Sequence, residues 1–503
     1  MRYTDQASGH VPRFLVASVT LVPDRLQPVL SETAEVAERF ERAGHRLYLV
    51  GGVVRDLIVN RLAASSDLDL TTDARPDDIE RLLSGWADAM WAQGKRFGTI
   101  GARKGERTFE ITTFRAEAYH PDSRKPDVVF ASDIEADLAR RDFTVNAMAL
   151  ALPGLELIDP FGGVGDLAAR RLRTPLDPSV SFTDDPLRMV RAARFVAGYG
   201  LDPDPGVVAA LGEHHHRLEI VSPERIRDEL DKLMVVGAPG PGLWLMVGTG
   251  LAGEFLPELP ALALEQDPIQ RHKDVLAHTI AVVEKTTPER LLRLAALFHD
   301  VGKPKTRSYG PTGVSFHHHE VVGARMTRDR MHALHYPTED VEVVTTLVEL
   351  HLRFHTYQMG WTDRAVRRYV RDAGPLLDRL NELTRCDCTT RNAAKARTLA
   401  RRMDELEVRI AELQASEELD AMRPELDGRA VMALLGIAPG PAIGRALAFL
   451  LDLRLDEGIL GEQEAGRRLL EWWAAGGSGG AGLAAPAGGS GDARGSPPAG
   501  PAG

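Results

Sequence analysis

Only two of the 503 residues are cysteines, Cys386 and Cys388. So close a pair cannot staple a fold, which excludes a disulfide-framed scaffold. C-x-C without a second pair is also a weak zinc signal, and buried thiols are the better reading. The apolar stretch RFLVASVTLV at 13–22 is about half the roughly 20 residues of a membrane helix. Nothing at the start reads as a cationic, apolar and cleavable signal, so the expected location is the cytoplasm, with no membrane partner. No repeat of fixed period is present. Positive charge is short overall: the net charge of −11 argues against a chain coated with nucleic acid. A local excess survives at 364–402, with eleven Lys or Arg against four acids. A solvated helix face is its plain reading and a backbone-phosphate contact its functional one.

What remains is ordinary globular bulk, 44% hydrophobic and 26% charged, in a chain long enough for two to four domains. Residues 1–24 form an N-terminal extension without periodicity. SETAEVAERFERAGH opens like a capping box at Ser31 and stops at Gly44, which predicts a helix. RLYLVGG reads as a buried strand, VVRDLIVNRL as a helix, SDLDLTT as a strand and RPDDIERLLSGW as a helix; alternating runs follow through FGTIGARKGERTFEITTFR. The fold class expected is an α/β head with a mixed sheet at 25–155, followed by an all-α body. Within the body, 156–265 reads as a helical nucleotide- and RNA-binding domain, 266–400 as a metal-binding domain and 401–475 as a further helical region. The Gly/Ala/Pro-rich tail at 476–503 lacks the apolar bulk to offset chain entropy and is expected to be disordered.

The chemistry begins at YLVGGVVRDLIVNRLAASSDLDLTT, residues 48–72. On a strand, residues two apart project from one face, so Asp67 and Asp69 would aim two carboxylates at one point. Hard oxygen donors of this kind suit Mg2+ held together with substrate phosphates. A glycine pair between strand and helix, Gly51 and Gly52, lets backbone N–H groups reach a phosphate, with Arg55 in the first helical turn. A lone D-x-D would more often be a solvent-facing strand edge. The combination GG-x-x-R-D with D-x-D instead resembles the DNA polymerase β nucleotidyltransferase superfamily. That resemblance implies a third carboxylate from a neighbouring strand, for which Glu110 is the candidate; its plain alternative is an exposed strand position.

ARRDFTVNAMAL, IDPFGGVGDL and DDPLRMVRAARF narrow the resemblance to the class II family of bacterial CCA-adding tRNA nucleotidyltransferases and poly(A) polymerases, over about residues 45–235. By that resemblance Asp67 and Asp69 hold catalytic Mg2+, Gly52 and Arg55 contact the triphosphate, and Arg141 lies by the nucleotide. Asp185, Arg188, Arg191 and Arg194 belong to the nucleotide site, Asp185 and Arg188 reading the base. Positions i and i+3 share a helix face. A carboxylate accepts from an exocyclic amine and a guanidinium donates to a ring nitrogen or carbonyl, so this pair would admit CTP and ATP. Asp184 stands where the family often has glutamate. The plain reading of the pair is a surface salt bridge of little worth.

Histidines gather further on: His278 in DVLAHT, His299 and Asp300 in RLAALFHDVGKP, then FHHHEVVGA, ELHLRFH and TRCDC. Imidazole and carboxylate ligands from several helices fit a divalent metal. The order resembles the HD phosphohydrolase superfamily over about 270–390. It implies His278, His299, Asp300 and Asp387 as ligands, with His319 and His351 as additions for a second ion. The expected function is template-independent addition or repair of the 3′-terminal CCA of tRNA from CTP and ATP, releasing pyrophosphate; the HD domain is either an active phosphohydrolase or a vestigial, auxiliary domain, with the intact ligand set favouring metal binding. A poly(A) polymerase and an enzyme adding only CC or only A are the competing enzymes. By family resemblance, the full-length loop RAEAYHPDSRKPDVVF favours A addition. Intact Asp67 and Asp69 speak against an HD phosphohydrolase with a mere nucleotide sensor, and the two ligand sets against an RNA-binding scaffold. Oligomeric state has no signature in the sequence.

Overall fold

The computed structural model describes residues 27–62, 67–118, 127–131, 133–264, 274–310, 313–356, 362–388, 393–417 and 423–477. The N-terminal extension, most of the Gly/Ala/Pro-rich tail and the centre of the RAEAYHPDSRKPDVVF loop lie outside them. The chain forms two compact units, 1–349 and 350–503.

Helix α1 (Gln27–Arg42) buries Val29, Thr33, Val36, Ala37 and Phe40, a stripe at helical spacing. It starts a turn earlier than expected. Ser31 therefore caps nothing, and its hydroxyl donates to the Pro28 carbonyl at 2.8 Å. Then come β1 (Leu47–Val50), α2 (Gly52–Ile58), β2 (Leu68–Thr72), α3 (Pro76–Leu83), β3 (Ala89–Trp91), β4 (Thr99–Lys104) and β5 (Arg107–Thr113). Pro76 at the first position of α3, followed by Asp77 and Asp78, suits a helix N-terminus. β6 (Arg115–Ala118) and β7 (Asp127–Phe130) pair with each other, and α4 (Ile134–Ala139), β8 (Ala149–Leu152) and β9 (Leu157–Ile158) close the head.

The seven-stranded sheet has the order β3-β4-β5-β2-β1-β8-β9. Only β2 and β5 run parallel; the other neighbours are antiparallel. One face carries the core, where Leu68, Leu70, Phe109 and Ile111 pack with Phe40, Leu49, Leu57, Ile79 and Trp86. Trp86 meets Phe109 edge to face at 5.1 Å. On the opposite face Ile134 and Leu138 of α4 pack on Tyr48, Val50 and Ala149. Asp69 and Glu110 are exposed there, each flanked by buried strand neighbours.

Past the head, helices dominate as expected: α5 (Gly163–Ala168), α6 (Pro178–Asp184), α7 (Leu187–Tyr199), α8 (Pro205–His214), α9 (Pro223–Met234), α10 (Gly240–Gly248), α11 (Leu251–Phe255), α12 (Val275–Lys285), α13 (Arg290–Phe298) and α14 (Lys303–Thr306). Two small β features interrupt them. β10 (Arg171–Leu172) pairs with β11 (Asp202–Pro203), and β12 (Arg307–Gly310) forms a hairpin with β13 (Gly313–Phe316). Strands of two to four residues are too short to show a period-2 pattern in sequence. α15 (His319–Ala333) and α16 (Thr338–Leu350) follow.

The second unit consists of α17 (Arg353–Thr356), α18 (Asp363–Ala373), α19 (Leu377–Asp387), α20 (Ala393–Glu417), α21 (Gly428–Leu435), α22 (Pro441–Glu457) and α23 (Glu462–Trp472), besides short turns. Four arginines of its basic strip are spent internally. Arg364 and Arg368 pair with Asp456, Arg385 with Asp404 and Glu407, and buried Arg367 donates to the Leu455 carbonyl. These four charges are thus engaged in holding helices together, which weakens the phosphate-contact reading for them. Cys386 and Cys388 are half-buried thiols rather than deeply buried ones, and Cys388 Sγ donates to the Thr384 carbonyl at 3.5 Å.

Candidate functional site

The parallel pairing of β2 with β5 sets Asp69 directly beside Glu110. Asp67 stands one residue before β2, exposed, with its position two residues from Asp69. Asp69 is exposed as a residue, yet the surrounding protein desolvates its carboxyl enough to raise its pKa. Arg141 pulls that pKa down, while Glu110 and Asp67 push it up. Glu110 and Asp67 each repel the Asp69 carboxylate, and the three acids offer the hard oxygen donors a divalent cation takes.

Gly51, between β1 and α2, has φ +68°, a conformation costly for any side chain. A Cβ there would lie 2.7 Å from Arg141 Nη1, and one at Gly52 would lie 3.3 Å from Arg55 Nη2. The glycines thus make room for two guanidinium groups. Expectation had them clear a path for backbone N–H groups, but the Gly51 N–H is already spent on the Met148 carbonyl at 3.3 Å.

Arg141 donates to Asp137 at 3.3 Å, and Arg140 to the same carboxylate at 3.0 Å. Burial alone would raise the pKa of Asp137; the two arginines hold it below the ordinary range. Arg55 is buried, bonded to both oxygens of Asp56 at 2.9 Å and to Asn146, and lies over the Tyr199 ring at 4.2 Å. It therefore belongs to the floor of the cradle. Asn146 donates to Asp142 at 2.9 Å, and Arg191 of α7 grips the other oxygen of Asp142. Burial pushes the pKa of Asp142 up, but Arg191 and Asn146 override it and hold the carboxyl far below the usual carboxylate range. Arg194 donates to Glu229 of α9 at 2.7 Å, within reach of Arg191 as well.

Asp185 and Arg188 do not share a helix face, since Asp185 lies in the break between α6 and α7. Nor do they form the surface salt bridge of the plain reading. The Asp185 carboxylate accepts from the Leu187 N–H at 3.2 Å and from Arg225 at 3.3 Å. The turn brings the two residues together through the Arg188 N–H and the Asp185 carbonyl, 3.0 Å apart. The Arg188 guanidinium is buried against Ser181 Oγ at 2.9 Å and the Arg140 carbonyl, so it sits beside the Arg140–Arg141 segment of the head.

A second cluster surrounds Asp300, at the end of α13. His299 Nε2 lies 3.3 Å and His278 Nε2 3.6 Å from Asp300 Oδ2, His319 Nε2 lies 3.4 Å from Oδ1, and Lys303 Nζ donates to Oδ2 at 2.6 Å. Nδ1 of His299 donates to the Ala296 carbonyl and that of His319 to the Phe316 carbonyl, which fixes each ring with Nε2 turned towards the acid. Burial would raise the pKa of Asp300; His299 and Lys303 hold it well below its normal range. This donor set fits a divalent metal. His351 follows α16 and Asp387 ends α19, both in the second unit.

Sequence reasoning missed Asp56, Asp137, Asp142, Asn146, Glu229 and Lys303. All but Glu229, which lies 35 residues from Arg194, are ordinary polar residues next to or one turn from a motif residue, and only the fold reveals which arginine or acid each holds.

Comparison with known proteins gives the family of each region. Residues 47–173 match the Poly A polymerase head domain, 200–262 the probable RNA- and SrmB-binding site of polymerase A, and 275–413 the HD domain. The chain is 33% identical to an A-adding tRNA nucleotidyltransferase of Deinococcus radiodurans, across 85% of its own length and 95% of that protein. It is equally similar to a CC-adding tRNA nucleotidyltransferase of Thermus thermophilus, 33% identical across 85% and 93% of the two. A CCA-adding enzyme of Lactobacillus helveticus is 39% identical, but the match spans 42% of this chain and about half, 51%, of that enzyme. In fold, the chain resembles the Bacillus stearothermophilus CCA-adding enzyme solved with CTP: TM-score 0.63, 22% identity, 90% of this chain and 99% of that one covered.

The Asp142 network predicts a pH-dependent stability. A folded pKa below the unfolded one stabilises above the unfolded value, about 3.9, and that stabilisation fades as pH falls below it. Asp142→Asn should cost roughly 3 kcal/mol at pH 7, the low end for a broken buried pair because Arg191 stays partly exposed. Urea denaturation should show the gap to the unaltered protein narrowing below about pH 4; a gap independent of pH would contradict the role given to Asp142.

Proposed function

The chain belongs to the family that unites tRNA nucleotidyltransferases and poly(A) polymerases through a shared head domain, and we propose that it builds or repairs the 3′-terminal CCA of tRNA from CTP and ATP, releasing pyrophosphate. The observation that carries this reading is the carboxylate row of Asp69 and Glu110, with Asp67 one step upstream, beside a glycine pair overlain by Arg141. Mg2+ held by Asp67, Asp69 and Glu110 would, when bound, polarise the attacking 3′-hydroxyl and neutralise charge on the α-phosphate. Arg141, fixed by Asp137, supplies positive charge to the triphosphate from the β1 side of the row. Arg55 keeps Gly52, Asp56 and Asn146 in place beneath it. Arg191 and Arg194 act from α7, held by Asp142 and Glu229. Asp185 accepts from the exocyclic amine that cytosine and adenine share, and Arg188 donates to the neighbouring ring nitrogen or carbonyl. No covalent intermediate on the protein is needed. The helical body grips the acceptor arm by shape and phosphate contacts. No helix among the described residues is long and apolar enough to cross a membrane, and the reading places the enzyme with its tRNA in the cytoplasm.

A second reading, addition of CC alone or A alone, rests on the two relatives matched over nearly their whole length, which are named for one half-reaction each. The HD cluster is assigned a phosphohydrolase acting on a cyclic or terminal phosphate at a damaged RNA 3′ end.

One assay separates the enzymes: tRNA lacking its last three nucleotides, Mg2+ and each labelled NTP. The expected product is CCA and nothing longer; arrest after CC, or A added only to tRNA ending in CC, supports a split enzyme, and long A-tails support a poly(A) polymerase. Asp69→Asn should abolish incorporation while leaving the thermal midpoint within a few degrees. Asp185→Asn, which turns an acceptor into a donor, should lower the preference for CTP and ATP over UTP roughly tenfold or more. Unchanged selectivity would remove Asp185 from base reading. His299→Ala should spare nucleotide addition and end hydrolysis of a 2′,3′-cyclic phosphate; loss of both would show one site serving both reactions.

A further inference from the structure

The row that holds the carboxylates continues across the sheet. Asp69 is opposite Glu110, Glu110 is opposite Gly101 on β4, and Gly101 is opposite Trp91 on β3. Directly paired residues project from the same face, so Trp91 shares the open face with the two acids. Its indole lies over Gly101: a Cβ at that position would collide with Nε1, Cε2 and Cζ2 of the ring. Trp91 nonetheless remains 37% exposed, a large aromatic left open beside a reaction centre. With strands about 5 Å apart, Gly101 is one strand from Glu110 and about 10 Å from Asp69.

The direction of the reaction says what belongs there. Arg141 and the glycine pair lie on the β1 side of Asp69, and Arg188 is bonded to the Arg140 carbonyl beside them. The triphosphate, its leaving pyrophosphate and the incoming base therefore occupy that side. In-line displacement requires the attacking hydroxyl to approach opposite the leaving group. The RNA end must then come from the Glu110 side, where the next group along the row is the indole. An aromatic face binds any base by stacking, without reading its identity. Such a contact suits an enzyme whose primer ends in a different nucleotide at each round.

We propose that Trp91 is the stacking platform for the 3′-terminal base of the acceptor RNA, a positioning residue that sets the 3′-hydroxyl beside Glu110 and Asp69. The inference rests on the nucleotide-adding reading of the site. Gly101 is its partner, since only glycine leaves room for the ring.

The test is a cycle between protein and RNA. Trp91→Ala and Trp91→Phe are compared with the unaltered chain on tRNA lacking CCA, with its last nucleotide either intact or an abasic ribose that keeps the 3′-hydroxyl. Trp91→Ala should raise KM for the intact RNA roughly 5- to 150-fold, the span of one stacked base, with KM for CTP unchanged. Trp91→Phe should recover most of the loss. The abasic RNA should cost the unaltered chain a similar factor and cost Trp91→Ala almost nothing more. Gly101→Ala should reproduce the Trp91→Ala defect by displacing the ring. Independent, multiplying losses, a rise in KM for CTP instead of RNA, or indifference of the unaltered chain to the abasic end would overturn the platform while leaving nucleotide addition intact. An unaltered chain that adds nothing to either RNA would overturn the parent reading, and this one with it.

Discussion

The register between β2 and β5 is the constraint on which the site depends. Asp69 lies between Leu68 and Leu70, and Glu110 between Phe109 and Ile111, all four buried in the core beneath the sheet. Two acids forced side by side repel, and nothing in their own interaction favours the pairing. The apolar residues on either side supply the reason. A slip of one residue would turn the acids into the core and the leucines into water. Hydrophobic burial thus holds in place an electrostatic arrangement that is unfavourable by itself; desolvation raises the pKa of Asp69, and Glu110 and Asp67 add to it against the pull of Arg141. A divalent cation relieves that repulsion, so the site is prepared for charge before any arrives.

The positive side of the site is arranged on the same principle with the opposite sign. Asp137 anchors Arg141, Asp142 and Glu229 anchor Arg191, Glu229 anchors Arg194, and Asp56 anchors Arg55. A long cationic side chain loses entropy when a ligand fixes it. One already fixed by a buried acid has met that cost during folding, which is how oriented charges come to act on a reacting group without reorganisation. The lowered pKa values of Asp137, Asp142 and Glu229 mean that these anchors remain ionised throughout the neutral range.

What could be read from sequence was whatever is local. GG, D-x-D and HD are short, and their chemistry follows from residue type and spacing. The mixed sheet followed by helices was equally visible, because hydrophobic periodicity is a local signal. Contacts made by distant segments stayed hidden. Asp137 and Asp142 look like ordinary acids beside RR, and nothing local marks one as the anchor of Arg141 and the other as that of Arg191. The glycine pair was recognised, but the groups that need its space are guanidiniums, one of them 90 residues on. The basic strip showed its charges without the partners that neutralise them, Asp456, Asp404 and Glu407. Trp91 reaches the carboxylate row only through three strand pairings, a relation that composition cannot express.

The cluster around Asp300 poses the converse problem, a charged group kept where burial opposes it. His299 and Asp300 are almost fully enclosed, and the carboxylate is held ionised by His299 and Lys303. Replacing such a buried polar set by apolar side chains of similar volume is often neutral or stabilising. The rings are also aimed: the Ala296 and Phe316 carbonyls each take an Nδ1 proton, leaving both Nε2 atoms turned towards one carboxylate. A core that needed only to be filled would require neither the charge nor the aim. Both make physical sense for a set of ligand atoms converging on a cation, so the stability forgone at Asp300 is itself an argument that this second centre binds metal.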